Sequence, residues 1–153
     1  MTFPERAVES CRNAMSRGRV SQRHIRDVLK FDDIDVSSLE SFLNSDNEFV
    51  RRGAIQIVGA HGDMTKLVAL AKVEKDRSML MQIIDAFMER PDGVEKIVDL
   101  LELDDDMVFE NTIDMFRRVG RADCLFGLVF SRDRELVERI KRYINEQRKT
   151  SGS

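Results

Sequence analysis

The feature that most constrains this chain is an internal repeat of apolar triplets spaced as positions 0, 4 and 7. Residues at this spacing lie on one face of an α-helix, so each triplet predicts a helix with an apolar stripe. The triplets begin at Val50, Leu80, Phe109 and Leu136, and successive starts lie 30, 29 and 27 residues apart. Four units that keep this spacing predict a repeat architecture, in which each unit buries its stripe against its neighbours.

Each triplet is preceded by a shorter apolar group, which predicts the first helix of a helical hairpin. These groups start at Leu39, Leu67, Ile97 and Leu125, and each lies 11–13 residues before its triplet. The predicted core of the four hairpins comprises Leu39, Phe42, Leu43, Val50, Ala54, Ile57, Leu67, Leu70, Ala71, Leu80, Ile84, Phe87, Ile97, Leu100, Leu101, Phe109, Ile113, Phe116, Leu125, Leu128, Val129, Leu136, Ile140 and Tyr143. The pattern therefore predicts an all-α fold of consecutive hairpins.

A weaker pair of apolar segments precedes the four repeats, one around Val8 and Cys11 and the other around Ile25 and Val28. We interpret residues 1–31 as a degenerate hairpin that caps the N-terminal end, because terminal units of repeat proteins are atypical. Four repeats then occupy residues 37–146 of a single domain over 1–147. Residues 148–153 are predicted to be a disordered tail.

Polar residues near the predicted helix starts indicate how these helices are capped. Asp63, Asp76 and Asp92 come just before apolar periodic runs, as N-cap residues do. Ser37 and Ser45 each stand three residues before a glutamate. This spacing predicts capping boxes, in which the two side chains satisfy each other's backbone N–H groups.

The segment over residues 46–63, DNEFVRRGAIQIVGAHGD, resembles the HEAT-repeat family, especially the short HEAT-like repeats also found in bilin lyases. The residues that match the family pattern are Asp46, Val50, Arg51, Ala54, Val58, Gly59, Gly62 and Asp63. The second repeat has Leu80-Met81 where the family has Val-Arg. The third repeat keeps Val119-Gly120 and Asp123 but lacks the arginine. The resemblance implies a right-handed α-solenoid of four to five HEAT-like hairpins, with the second helices lining a concave face.

Charge is distributed unevenly along the chain, although the net charge is only −3. Residues 1–31 carry +4, residues 32–116 carry −12 and residues 117–153 carry +5. Basic ends of this kind can attract phosphate, whereas the acidic middle would repel it. Nucleic acid is therefore an alternative partner, with protein the main expectation.

Charged residues on the second helices, off the core stripe, are the candidate partner-binding residues. They are Arg51, Arg52, Glu110, Asp114, Arg117, Arg118, Arg121, Arg139 and Arg142. Arginine is suited to fixed, forked contacts with carboxylate or phosphate. The alternative is a structural role between repeats, in which Arg51 reaches an aspartate such as Asp46 or Asp76. Both interpretations stay open for the arginines at 117, 118 and 121.

An acidic cluster, Asp104, Asp105, Asp106, Glu110 and Asp114, could hold a hard cation. The cluster lacks the central glycine of a calcium-binding loop. Acidic residues are also favoured in the first turn of a helix, where the helix dipole stabilises negative charge. We predict a solvated loop and helix start, with neither a metal nor a cofactor.

No combination of residues in the sequence predicts catalysis. His24 and His61 are the two histidines, and neither has the spacing of a zinc site. His61 lies beside Asp63, but no glycine-framed serine accompanies them. Cys11 and Cys124 lack CxxC partners, so we interpret both as buried thiols. The chain is predicted not to be an enzyme.

The N-terminal segment MTFPERAVES lacks the apolar core of a signal peptide, and no apolar run approaches the ~20 residues that span a bilayer. We therefore expect a cytoplasmic protein that does not enter a membrane. The predicted function is a non-catalytic scaffold that binds a protein partner along its concave face. A nucleic-acid-binding protein that uses the basic terminal units is one alternative. An accessory subunit or lyase-like protein is another, and it follows from the family resemblance alone.

Overall fold

The computed structural model describes residues 1–103, 105–130 and 133–151, and every regular element in these ranges is helical. The elements in chain order are α1 (Phe3–Ser16), α2 (Gln22–Leu29), a 3₁₀ helix (Ser37–Asn44), α3 (Glu48–His61), α4 (Met64–Val73), α5 (Arg77–Glu89), α6 (Pro91–Leu101), α7 (Asp106–Arg118), α8 (Ala122–Phe130) and α9 (Arg134–Ser151). The predicted all-α class is confirmed.

The apolar triplets and the groups before them supply the core as predicted. Of the predicted core residues, Phe42 and Tyr143 are half-buried, and the side chain of Leu128 lies outside the described residues. All the others are buried. The 0, 4, 7 spacing therefore identifies the buried face of each second helix.

The chain divides into two compact units, of which the first comprises Met1–Val94. Its helices pack as three consecutive hairpins in two layers. One layer contains α1, the 3₁₀ helix and α4, and the other contains α2, α3 and α5. The central helix, α3, contacts both α2 and α5 as well as the 3₁₀ helix and α4. Ile55 and Val58 are therefore buried in addition to the predicted triplet on α3.

Two glycines on α3 allow its neighbours to approach closely. A Cβ atom added at Gly59 would lie 2.6 Å from Cβ of Ala86 on α5. At Gly53 it would lie 3.1 Å from Cδ1 of Ile25 on α2. The first contact is far shorter than van der Waals separation, so glycine at position 59 sets how closely α3 and α5 pack.

The second unit begins at Glu95, and in it α8 contacts both α7 and α9. The turn after α7 is formed by Gly120, which has a positive φ of 71°. The N–H of Arg121 donates to the carbonyl oxygen of Phe116 at 2.8 Å, which closes the end of the helix. Only glycine adopts this left-handed conformation at little cost, which explains the Val119-Gly120 pair.

Helix starts are only partly as predicted. Asp63 and Asp76 are N-cap residues whose carboxylates accept from backbone N–H groups of α4 and α5. The predicted capping boxes at Ser37 and Ser45 are wrong. The 3₁₀ helix has Val36 at its N-cap without a side-chain bond, and Asn47 caps α3 in place of Ser45. Asn47 lies two residues nearer the helix, where its amide oxygen reaches the N–H groups of Phe49 and Val50.

Three further predictions about local structure differ from what is observed. Asp92 lies within the first turn of α6, one residue after its start, and does not precede the helix. Helix α9 continues to Ser151, past residue 147, because residues 146–149 are good helix formers; residues 152 and 153 of the predicted tail lie outside the described residues. Cys11 is buried, and burial raises the pKa of its thiol to about 11, but Cys124 is exposed.

Candidate partner-binding site

An open groove with a volume of about 900 Å³ runs over α3 in the first unit, and we call it the α3 groove. Its lining residues come from the layer that contains α2, α3 and α5, from the residues just before α2 and from Arg90 just after α5. They are Val20, Ser21, Gln22, Ile25, Leu29, Phe49, Arg52, Gly53, Ile55, Gln56, Gly59, Ala60, Gln82, Asp85, Ala86, Glu89 and Arg90. The groove therefore lies on the surface that the second helices of three consecutive hairpins form together.

Small residues on α3 make this surface concave. Gly53, Gly59 and Ala60 line the groove and present little or no side chain. The flanking helices contribute larger residues such as Leu29 and Glu89. The central helix is thus the floor of the groove, and α2 and α5 are its walls.

Polar contacts along the groove fasten α3 to α5. Nη2 of Arg52 donates to Oγ of Ser78 at 2.6 Å and lies 3.6 Å from a carboxylate oxygen of Glu48. Nε2 of Gln82 donates to the carbonyl oxygen of Arg52 at 3.0 Å. Arg52 is therefore linked to both helices through its side chain and its backbone.

Arg90, immediately after α5, secures the other end of α3. Its Nη1 donates to the carbonyl oxygens of Gly62 at 2.8 Å and Val58 at 3.3 Å, and its Nε donates to Asp92 at 2.9 Å. The guanidinium thus binds the carbonyl group of Gly62 just beyond the helix and adds a second donor to the carbonyl group of Val58, which also accepts the N–H of Gly62. The hydrogen bond and the charge of Arg90 also hold the pKa of the Asp92 carboxyl below its usual value.

Four side chains that line the groove are exposed and available to a ligand, namely those of Phe49, Gln56, Asp85 and Glu89. Gln56, Asp85 and Glu89 are exposed, and none of their side chains has a hydrogen-bond or ion-pair partner among the described residues. The ring of Phe49 is 76% exposed at the N-terminal end of α3. The groove thus combines an amide, two carboxylates and an aromatic ring.

Arg51, a predicted partner-binding residue, does not line the groove, and its side chain contacts other residues of the first unit. Its Nε lies 3.3 Å from Oε1 of Glu74, and its Nη1 donates to the carbonyl oxygen of Ser45 at 2.9 Å. The side chain of Glu74 is 8% exposed. The structural alternative is thus the one observed, but the acid is Glu74 and not Asp46 or Asp76.

Of the predicted binding residues, Arg52 lines the α3 groove, and all those other than Arg51 and Arg52 lie in the second unit, where the ones at the C-terminal end of α7 are exposed. Arg117 and Arg118 have no ion-pair partner among the described residues. Arg121, just beyond the end of the helix, is also exposed. Nη2 of Arg121 lies 3.8 Å from Sγ of Cys124. Arg142 on α9 is also exposed. These side chains are placed where a partner could reach them.

Asp114 and Arg139 instead connect α7 to α9. The hydroxyl of Tyr143 donates to Oδ1 of Asp114 at 2.9 Å, and the Tyr143 ring meets the Phe109 ring edge-on at 6.0 Å. The guanidinium of Arg139 lies 4.2 Å from the Phe109 ring centroid and 3.5 Å from Asp106. Burial, followed by the hydrogen bond to Asp114, raises the pKa of Tyr143. The side chains of Asp114 and Arg139 are therefore already in contact with other residues of the second unit.

The acidic cluster separates into residues with different roles. Asp104 lies outside the described residues, while Asp105 caps α7 by accepting from the N–H groups of Met107 and Val108. Glu110 is exposed on α7. Within the part of the chain that the structure describes, no three His, Cys, Asp or Glu side chains are grouped to hold a metal ion.

The sequence reasoning missed most of the groove residues, although a signal for them exists. Counted from the first residue of each triplet, Arg52 and Gln82 both occupy position +2, and Gln56 and Ala86 both occupy position +6. Position +9 corresponds to Gly59 on α3 and Glu89 on α5. These offsets define one helix face opposite the core stripe, and they could have identified the groove.

Comparison of this chain with models of known families, with curated proteins and with solved structures finds no match. Among the described residues, none of the helices combines the length and the apolar character needed to cross a membrane.

Proposed function

We propose that this chain is a non-catalytic scaffold of HEAT-like helical hairpins, arranged as a right-handed solenoid, that binds a protein partner along its second helices. The two-layer packing of the first unit supports this proposal, since α3 lies between α2 and α5 in one layer. In a solenoid the second helices of successive repeats form an extended surface suited to partners.

The α3 groove is the observation that carries the proposal. A binding site needs concavity and a few polar groups that converge on it. The groove has both, since glycines form its floor and Gln56, Asp85 and Glu89 face it without partners among the described residues. We therefore place the partner over α3.

A matched pair of substitutions tests this placement. Ala60 on α3 is exposed and lines the groove, whereas Ala69 on α4 is exposed and lies outside it. Ala60→Trp should obstruct the groove without disturbing the core. Partner proteins are first captured from a native extract with the unsubstituted chain and then purified. Their affinity for the Ala60→Trp variant should be at least about tenfold lower than for the unsubstituted chain. Ala69→Trp should leave the affinity unchanged, and equal effects of the two variants would refute the placement.

Nucleic acid is a second candidate partner, favoured by the exposed arginines of the second unit, Arg117, Arg118 and Arg121. Guanidinium groups bind phosphate and release counterions, so such binding weakens steeply with salt. Glu110 and Asp114 on the same helix would oppose it. Binding of single-stranded and duplex DNA, measured at low and at physiological salt, separates this candidate from the scaffold.

A further inference from the structure

We infer that the α3 groove takes an extended segment of the partner protein that carries lysine or arginine at alternate positions. This inference depends on the proposed function, because it names the kind of segment that the same groove would bind. The free charges, the free amide and the length of the groove each contribute to it.

The charges that remain free in the groove are negative. Arg52 is paired with Glu48 and bonded to Ser78, and Arg90 is paired with Asp92. Neither Glu48 nor Asp92 lines the groove, so both cations are neutralised from outside it. Asp85 and Glu89 remain as exposed carboxylates without partners among the described residues. A segment with cationic side chains complements them and is steered toward them.

The free amide of Gln56 favours an extended segment over a docked helix. A primary amide offers two N–H donors and an acceptor oxygen, which match the C=O and N–H of a peptide group. An extended chain leaves these backbone groups available at each residue, whereas a helix uses its own internally. An apolar helix packed over the floor would bury the Gln56 amide without a partner.

Spacing in the groove matches the repeat of an extended chain. The groove-lining residues of α3 run from Phe49 to Ala60, which is about 16 Å along the helix axis. This length accommodates about five extended residues. Asp85 and Glu89 are one helical turn apart, about 6 Å along α5. Alternate side chains of an extended segment lie about 6.6 Å apart on one side, so two basic residues separated by one position can meet both carboxylates.

Nonapeptide libraries provide a direct test. One library has lysine fixed at positions 4 and 6, and the other has glutamate at the same positions, with the remaining positions degenerate. We expect the labelled lysine library to bind the full chain at least about tenfold more tightly, with a difference that shrinks as salt is added. Equal binding of the two libraries overturns the inference.

Variants assign the preference to the groove. Asp85→Asn with Glu89→Gln should remove most of the lysine preference, while Gln56→Leu should weaken both libraries to a similar extent. Asp32→Asn with Asp33→Asn makes the same change in charge at exposed residues outside the groove and should leave the preference intact. A lysine preference that survives in the groove variant, or is lost equally in the control, overturns the inference.

The proposed function is judged separately by Ala60→Trp. If a captured partner loses affinity with this variant but the libraries show no lysine preference, the groove binds a protein and the basic extended segment is wrong. If Ala60→Trp has no effect on any captured partner, the proposed site itself fails. Binding of DNA that is abolished by Ala60→Trp would show that the groove serves nucleic acid, and this outcome overturns both.

Discussion

Two adjacent arginine pairs, Arg51-Arg52 on α3 and Arg117-Arg118 on α7, have opposite surroundings. The first pair is engaged within the first unit, with the carboxylates of Glu74 and Glu48 and with Ser78. The second pair is exposed and has no ion-pair partner among the described residues. The sequence context of the pairs is similar, since each lies beside an apolar triplet. What differs is whether an acid pairs with each arginine. The segment after α4 supplies Glu74 to Arg51, and α3 itself supplies Glu48 one turn before Arg52.

This contrast shows which charges of such a helical chain stabilise its fold and which remain available. Arg51 lies where the segment between α4 and α5 passes, and that segment supplies Glu74. Arg117 and Arg118 lie at the C-terminal end of α7, where a cation is favoured by the helix dipole alone. The first region should therefore respond to mutation through stability, and the second through binding.

The largest expected effect tests the structural role of Arg51. Arg51→Met leaves the Glu74 carboxylate, 8% exposed, without its cation and removes a donor from the carbonyl group of Ser45. We expect a loss of about 2–3 kcal/mol in the free energy of unfolding, because a nearly buried charge loses its partner. Urea denaturation followed by circular dichroism measures the change.

Arg52→Met is the matched control, since this side chain is 39% exposed and its ion pair with Glu48 lies near the surface. It should cost at most about 1 kcal/mol. Adding Glu74→Gln to Arg51→Met should recover part of the lost stability by removing the uncompensated charge. Equal costs for the two arginine variants would contradict the division between a structural and a groove-lining arginine.

The next effect concerns the close contact of α3 with α5. Gly59→Ala places a methyl group 2.6 Å from Cβ of Ala86, so the helices must separate. We expect a net loss of about 1–2 kcal/mol, since overpacking is partly offset by the better helix propensity of alanine. Ala86→Gly in the same chain should restore most of it, which a double-mutant cycle measured by urea denaturation would show. If Gly59→Ala left the free energy of unfolding unchanged, α3 and α5 would be packed less closely than the 2.6 Å approach at Gly59 indicates.

A smaller effect should appear at high pH through Tyr143, the only tyrosine in the chain. Burial and the bond to Asp114 raise its pKa in the folded state, whereas an unfolded tyrosine ionises near about pH 10. Stability from this group is present below about pH 10 and is lost as the pH rises toward the folded pKa. Tyr143→Phe should cost about 1 kcal/mol at neutral pH and make stability less dependent on alkaline pH.

Tyrosinate absorbance reports this residue directly, because the chain also contains no tryptophan. In the folded protein the titration midpoint should lie well above about pH 10, and Asp114→Asn should lower it. A normal midpoint in the folded chain would show that α7 and α9 do not hold the Tyr143 hydroxyl as described.

The core of each helix could be predicted from sequence because burial depends on one periodic stripe, whereas the site depends on which helices become neighbours. Position +1 of the α3 triplet, Arg51, and position +2, Arg52, differ by about 100° around the helix. Both are off the core stripe, yet only Arg52 lines the groove. Glu74 could not be predicted as the partner of Arg51, because the contact joins residues from two different hairpins.

The smallest expected effect on stability belongs to the second pair of arginines. Arg117→Glu combined with Arg118→Glu should change the melting temperature by no more than about 1–2 °C, since exposed charges contribute little to folding. The guanidinium of Arg117 also opposes the rise in the Tyr143 pKa. The variant should therefore move the tyrosinate midpoint further up, while circular dichroism remains unchanged.

Binding should respond to this variant more strongly than stability does. If the arginines of α7 form a second contact region for the partner, reversing their charge should weaken its affinity by about tenfold, which corresponds to ~1.4 kcal/mol. The measurement is the affinity of a partner that Ala60→Trp has already shown to bind the α3 groove. A large fall in melting temperature would mean that Arg117 and Arg118 are structural, as Arg51 is. Unchanged affinity would exclude Arg117 and Arg118 as contacts of the partner, because a charge reversal of this size at a contact alters at least the electrostatic part of binding.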